Sequence, residues 1–157
     1  MDSIDLKLIK HLQIEADLPL AELSRKLGMS KTTCWNRLQK LEELGVIKGK
    51  YMAFDREVLG LPVVIFLSIT VGRHSPDWVD RFSHIIDRSP EVVEVHRLTG
   101  EGADYQLKIL CPDIEAYDAF QQKLIANIDF TSMSTRISLK EIKQTPHVPL
   151  YHLDKSD

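Results

Sequence analysis

The sequence predicts an α+β protein: an N-terminal winged helix-turn-helix followed by a C-terminal ferredoxin-like βαββαβ domain. Three observations predict it. Apolar residues recur at helical spacing through the first 44 positions, and a glycine turn there precedes a helix with polar and basic first turns. Beyond Gly60 the period alternates between 2 and 3.6. The 157 residues allow one medium domain or two small ones. The division predicted is 1–51 for the helix-turn-helix, 52–60 for a linker, 61–144 for the α/β domain and 145–157 for a tail.

The first helix, Asp2 to Ile14, puts Ile4, Leu8, Ile9 and Leu12 on one face, with Asp2 as cap and Asp5 in the first turn. A second helix spans Pro19 to Leu27, with Leu20, Leu23 and Leu27 inward and Pro19 suited to its start. Gly28 can take the left-handed conformation that ends a helix, and Ser30 can cap the next. The third helix, Lys31 to Leu44, turns Cys34, Leu38 and Leu41 inward and leaves Lys31, Thr32, Trp35, Asn36, Gln39 and Lys40 mostly outside. Gly45 stops it, and Val46–Tyr51 reads as a short strand and turn, the wing.

In the second half, Leu61–Val71 reads as a buried strand. Ser75-Pro76 starts a helix carrying Trp78, Phe82, Ile85 and Ile86 on one face. Val92–Leu98 is a second strand, and Ala103–Cys111 alternates with Tyr105, Leu107, Ile109 and Cys111 on one side. Asp113 caps a helix with Ile114, Tyr117, Phe120 and Leu124 inward, and Ser132–Ile142 alternates as the last strand. The tail has two prolines and no period, and is expected to be loosely held.

Composition excludes several classes. Hydrophobic residues at 43% and charged residues at 27% are ordinary for a folded domain rather than a disordered chain. No run approaches the ~20 apolar residues of a membrane span, no secretory leader precedes the first helix, and a cytoplasmic, reduced setting is expected. Cys34 and Cys111 have no metal-like spacing, and none of the six histidines pairs at helical spacing beside a carboxylate. Neither metal nor cofactor is therefore expected. Cys34 and Cys111 sit at inward positions and read as packing residues, against the rival role of thiol sensor.

Net charge is −3, but its distribution matters more. Residues 1–60 carry ten Lys/Arg against nine Asp/Glu, whereas residues 61–157 carry ten against fourteen. Lys31 to Leu41 holds three bases and no acid, which suits a helix that meets duplex DNA. In a helix-turn-helix the second helix enters the major groove through its N-terminal residues. The candidate DNA-binding residues are Ser30, Lys31, Thr32, Thr33, Trp35, Asn36, Arg37, Lys40, Lys48 and Lys50. Asn36 can read adenine bidentately and Thr32 can meet phosphate or a thymine methyl, the alternative being a plain solvated face. Arg37 lies nearer the inner face, where it either pins phosphate or pairs with Glu42. Lys48 and Lys50 suit phosphate contact.

The run Ser30-x-Thr32-Thr33-Cys34-x-x-Arg37-Leu38-x-x-Leu41-Glu42-x-x-Gly45-Val46-Ile47 resembles the helix-turn-helix signature of the Lrp/AsnC (leucine-responsive, or feast/famine) transcriptional regulators. The opening Asp2-x-Ile4-Asp5-x-x-x-Ile9-x-x-Leu12 fits their first helix. Thr99-Gly100 before Asp104-Tyr105 fits their effector domain. The resemblance spans Asp2 to about Leu150. It implies a regulator of amino-acid metabolism that forms homodimers through its C-terminal sheets, often assembled into octamers, and binds an amino acid between dimers. Trp35 and His74-Ser75-Pro76-x-Trp78 are most similar to a subgroup associated with cysteine catabolism.

Two departures stand out: Pro19 replaces the usual Ser or Thr, and the loop Gly100–Asp104 is one residue longer than the family's. The effector candidates are Thr99, Gly100, Glu101, Gly102 and Asp104. Either this loop cradles an amino acid, with Asp104 accepting from its ammonium, or it is a hairpin turn whose glycines supply positive φ. The ferredoxin-like fold also hosts enzymes, but no nucleophile elbow, phosphate loop, HExxH or acid/base pair is present, so an enzyme is not expected. A metabolite sensor that acts through protein partners is the second rival.

Overall fold

The computed structural model describes residues 1–153. Its elements are α1 (Ser3–Ile14), α2 (Leu20–Lys26), α3 (Lys31–Glu43), β1 (Val63–Thr70), α4 (Pro76–Asp87), β2 (Val92–Arg97), β3 (Tyr105–Cys111), α5 (Ile114–Asn127) and β4 (Ser132–Ile137). They divide into two units, one from Met1 to Met52 joined by the stretch from Lys143 onward, the other from Ala53 to Ile142.

In the first unit, Asp2 caps α1 by accepting from Ile4 and Asp5 N–H, and Asp5 returns the bond to the Asp2 N–H. This reciprocal box satisfies three backbone donors that a helix start otherwise leaves unpaired. Pro19 offers no side-chain cap to α2, as the replacement of Ser or Thr dictates. Gly28, at φ 66°, ends α2 with a bonded turn in which its N–H reaches Arg25 C=O and Met29 N–H reaches Ser24 C=O. That left-handed turn is natural to glycine. Leu8, Leu18, Leu23, Cys34 and Leu41 form the core, with Leu12, Leu38 and Ile47 packed against it. From Lys143 the chain rejoins this unit, where Val148 N–H donates to Gln13 and Leu150 is half-buried. The rest of the described tail is exposed, and its last four residues lie outside the described residues.

The second unit is a four-stranded antiparallel sheet in the order β2-β3-β1-β4, the arrangement expected of βαββαβ. Ile65, Leu67 and Ile69 of β1 and Tyr105, Leu107, Ile109 and Cys111 of β3 face both helices, burying Trp78, Phe82, Ile85, Tyr117, Phe120 and Leu124 against them. Trp78 stacks on Phe82 at 5.0 Å between ring centres, and Tyr105 lies 5.3 and 4.9 Å from the two. The opposite face carries half-buried Phe66, Ser68, Gln106, Lys108 and Leu110, and neither helix of this unit lies over it.

Three local expectations differ from the structure. Residues 46–51 form no strand, because 55–60 fold into a turn capped by Asp55 and supply no second strand to pair with. The expected wing is therefore an irregular segment. The last strand stops at Ile137 rather than Ile142. After Ser138 donates to Val64 C=O its partner β1 runs out at Pro62, which has no N–H, and Leu139 is left 99% exposed. Ile114, expected inward, is 50% exposed in the first turn of α5, ahead of the part of the helix that reaches the sheet.

Candidate nucleic-acid interface and effector site

The outward face of α3 has the composition a duplex contact needs. Lys31, Thr32, Asn36 and Lys40 are exposed, and Trp35 stands 51% exposed beside them. An indole this exposed at the start of a recognition helix is open to a partner. Ser30 and Thr33 are held differently. Ser30 Oγ accepts from the Thr33 N–H at 3.1 Å, and the two hydroxyls lie 2.8 Å apart. They fix the start of α3, the end that meets DNA in this motif.

Of the two roles weighed for Arg37, the pairing with Glu42 is not made. Arg37 Nη1 lies 2.8 Å from Asp2 Oδ2 and 2.6 Å from Asp5 Oδ1, so its partners are at the start of α1 and Glu42 is not among them. Asp5 is 9% exposed, which makes this an anchor in the wall of the domain. The Asp5 N–H bond and then the Arg37 guanidinium hold the Asp2 carboxyl below its usual range, and the Arg37 pKa is raised in turn by Asp2 and Asp5. Glu42 instead accepts from Gln39 at 3.1 Å. Arg37 thus sets α3 against α1, a residue of the scaffold that presents Lys31, Thr32, Trp35 and Asn36.

Lys48 is exposed, whereas Lys50 Nζ lies 3.6 Å from Asp17 Oδ1, a pair so open to solvent that it leaves the lysine available. Cys34 and Cys111 are buried and unpaired with one another. Burial pushes both thiols up, the opposite of what a reactive thiol needs.

In the second unit the loop after β2 is tied down rather than open. Asp104 Oδ2 accepts from the Val71 N–H at 2.6 Å, Asp104 N–H donates to Ile69 C=O, and Leu98 N–H donates to Asp104 C=O. Thr70 Oγ1 donates to Gly102 C=O at 2.8 Å. One Asp104 oxygen is therefore committed to backbone, and the other lies 3.9 Å from His74 Nε2. The carboxylate thus joins the loop to the end of β1 through one oxygen. Gly100 and Gly102 do take positive φ, 125° and 109°. Thr99, Gly100 and Glu101 remain exposed at the tip.

Sequence reasoning missed a cleft beside this loop. It has a volume of about 410 Å³ and lies between the end of β1 with the start of α4 and the α5–β4 connection. Its lining residues, Val71 to Arg81 and Asp129 to Thr131, are about 50 positions apart in the chain, so no local pattern could announce it. No helix of the described residues is long and apolar enough to cross a membrane.

Comparison with known proteins agrees with both halves. The sequence model of the AsnC-type helix-turn-helix domain matches residues 1–42, and that of the Lrp/AsnC ligand binding domain matches residues 64–148. The glutamate uptake regulatory protein of Zymomonas mobilis is 39% identical over 150 residues, covering 96% of this chain and 91% of that protein. An AsnC family transcriptional regulator from Agrobacterium tumefaciens is 40% identical, with a TM-score of 0.90 over 98% of this chain and 99% of that one. A Neisseria meningitidis transcriptional regulator solved in complex with L-Met is 30% identical at the same TM-score and the same coverage. These relatives do not confirm the cysteine-catabolism subgroup. Two domain matches in order along the chain, with relatives similar over nearly its whole length, place the chain in the Lrp/AsnC family of DNA-binding transcriptional regulators.

Proposed function

We propose that this chain controls genes of amino-acid metabolism from the cytoplasm, as a homodimer or higher assembly that presents paired α3 helices to two half-sites and responds to an amino acid bound by its sheet domain. The observation that carries the DNA half is the exposed surface of the acid-free stretch Lys31–Leu41 of α3: Lys31, Thr32, Trp35, Asn36 and Lys40 outward, with Ser30 and Thr33 fixing its start. Asn36 and Thr32 are assigned to base edges, Lys31, Lys40, Lys48 and Lys50 to phosphate, and Arg37 to orientation of the helix.

The sheet face turned away from α4 and α5 supports pairing with a second copy. Phe66 and Leu110 supply apolar area there, and the Glu94–Lys108 pair at 3.0 Å with His96 at 3.6 Å supplies a polar rim. For the effector, support comes from the exposed loop tip Thr99-Gly100-Glu101 and the adjoining cleft, together with the L-Met complex of the Neisseria relative. Asp104 serves this site by holding the loop in place.

A gel-shift titration at several salt concentrations tests the DNA half. Lys31→Ala is expected to weaken binding and lower the salt slope by about 1, whereas Asn36→Ala costs about 1–3 kcal/mol on the cognate site only. Equal affinity and slope for wild type and Lys31→Ala would remove α3 from the interface. A thermal-shift screen against the twenty amino acids tests the effector half, and a flat response to all of them would refute it.

A further inference from the structure

The cleft beside the effector loop has a charge pattern that selects its ligand. Its floor is apolar: Val71 and Trp78 are buried, and the Trp78 indole N–H is already spent on the Asp129 C=O. Its two walls are stitched together. Thr131 N–H donates to Thr70 C=O at 2.7 Å, and a Cβ at Gly72 would come within 3.1 Å of Thr131 Oγ1, so the walls stand as close as a glycine permits. Backbone held in this way bounds the cleft, and its volume of about 410 Å³ suits a small metabolite.

The charged groups on this frame are Arg73, Arg81 and Asp129, beside the hydroxyls of Ser75 and Thr131. Arg81 Nε donates to the Asp77 C=O at 3.3 Å, which steadies the side chain and leaves its two terminal nitrogens for other acceptors. The Arg73 guanidinium and the Asp129 carboxylate have no protein partner among the described residues. Two guanidinium groups and one carboxylate around an apolar floor complement a ligand with two carboxylates and one ammonium. A guanidinium binds carboxylate bidentately, and such charge-assisted bonds are about twice as strong as neutral ones. A ligand with a neutral side chain satisfies one arginine with its α-carboxylate and leaves the other unmatched.

We infer that the cleft takes an acidic amino acid, with Arg73 and Arg81 binding its two carboxylates and Asp129 its ammonium. The inference rests on the reading of this domain as the effector-binding one and adds the chemical class of the effector. Arg73 and Arg81 determine specificity. Asp104, by holding the neighbouring loop to Val71, supports one wall.

Titration calorimetry on the full chain tests it, using L-glutamate, L-aspartate, glutarate, L-methionine, L-leucine and L-cysteine against wild type, Arg73→Gln and Arg81→Gln. Circular dichroism checks that both variants fold; both positions are exposed, so folding is not at stake. The expected result is binding of L-glutamate or L-aspartate that weakens about tenfold or more in each variant, the loss of one charge-assisted contact. Acidic ligands that do not bind, or that bind either variant as tightly as wild type, overturn the inference. Neutral amino acids binding alone, unaffected by both changes, overturn it while leaving the amino-acid effector reading intact. Glutarate binding that both changes weaken, with no amino acid bound, keeps the two-arginine carboxylate site and refutes the amino-acid reading.

Discussion

Leu41 is the most informative position in the DNA-binding unit for a stability test. It is 1% exposed and packs in a core whose other fully enclosed members are Leu8, Leu23 and Cys34. Leu41→Ala removes three carbons, about 2.4 kcal/mol of transfer free energy at ~0.8 kcal/mol per methylene. The cavity left in so small a core raises the cost to about 3–4 kcal/mol, inside the range of about 2–5 seen for such truncations. A unit of this size is worth about 3–8 kcal/mol in total, so the variant is left marginal. The second unit has its own core, around Leu67, Leu107 and Leu124, which shares no residue with the first. Scanning calorimetry of Leu41→Ala is therefore expected to show the transition of the first unit lowered by about 12 °C or more, with that of the sheet unit in place. Leu124→Ala should give the reverse. DNA affinity falls with the folded fraction of the first unit, while oligomer size by ultracentrifugation is unchanged. If Leu41→Ala moved both transitions together, the division into two independent cores would be wrong.

Four further outcomes follow from particular contacts. Arg37→Ala should unfold the first unit earlier than wild type and weaken DNA binding to every sequence alike, because α3 loses its anchor on α1 rather than a base contact. The Asp2 carboxyl is held below its ordinary value of 3.8, so its contribution is full above that pH and is lost as pH falls through the lowered value. Acid titration of the first unit followed by Trp35 fluorescence should accordingly show a steeper acid limb in wild type than in Arg37→Ala. Lys108→Glu sets a second carboxylate beside Glu94 on the open sheet face, and sedimentation should show weaker self-association with the sheet unit still folded. Both thiols should react with Ellman's reagent slowly in the native protein and at once in denaturant; a fast native phase would contradict their burial.

Much of the architecture was legible because it is written in local periods. The β3 alternation of Tyr105, Leu107, Ile109 and Cys111 is buried at every second position, and Asp2, Ser30, Ser75 and Asp113 each cap the helix they precede. What escaped depends on partners far away in sequence. Nothing near Arg37 announces that its charge is answered by Asp2 and Asp5, 35 and 32 positions earlier. The end of β4 is decided by where β1 begins, after Pro62, not by the alternation that continues to Ile142. A wing needs a second strand, and a turn-forming Asp55–Gly60 segment denies it one. That an Asp104 oxygen accepts from the Val71 N–H is likewise not announced by the glycine-rich loop, since Val71 lies 33 positions earlier.

The return of the chain from Lys143 to the first unit bears on how the protein is made. Helices α1 to α3 leave the ribosome early and can begin to collapse around Leu8 and Leu23 while synthesis continues. Their unit acquires its last segment, including the Val148 contact with Gln13, only after the whole sheet domain has been synthesised. The unit that holds α1 to α3 is thus the first to start folding, yet its last contact forms only once the sheet domain has been made.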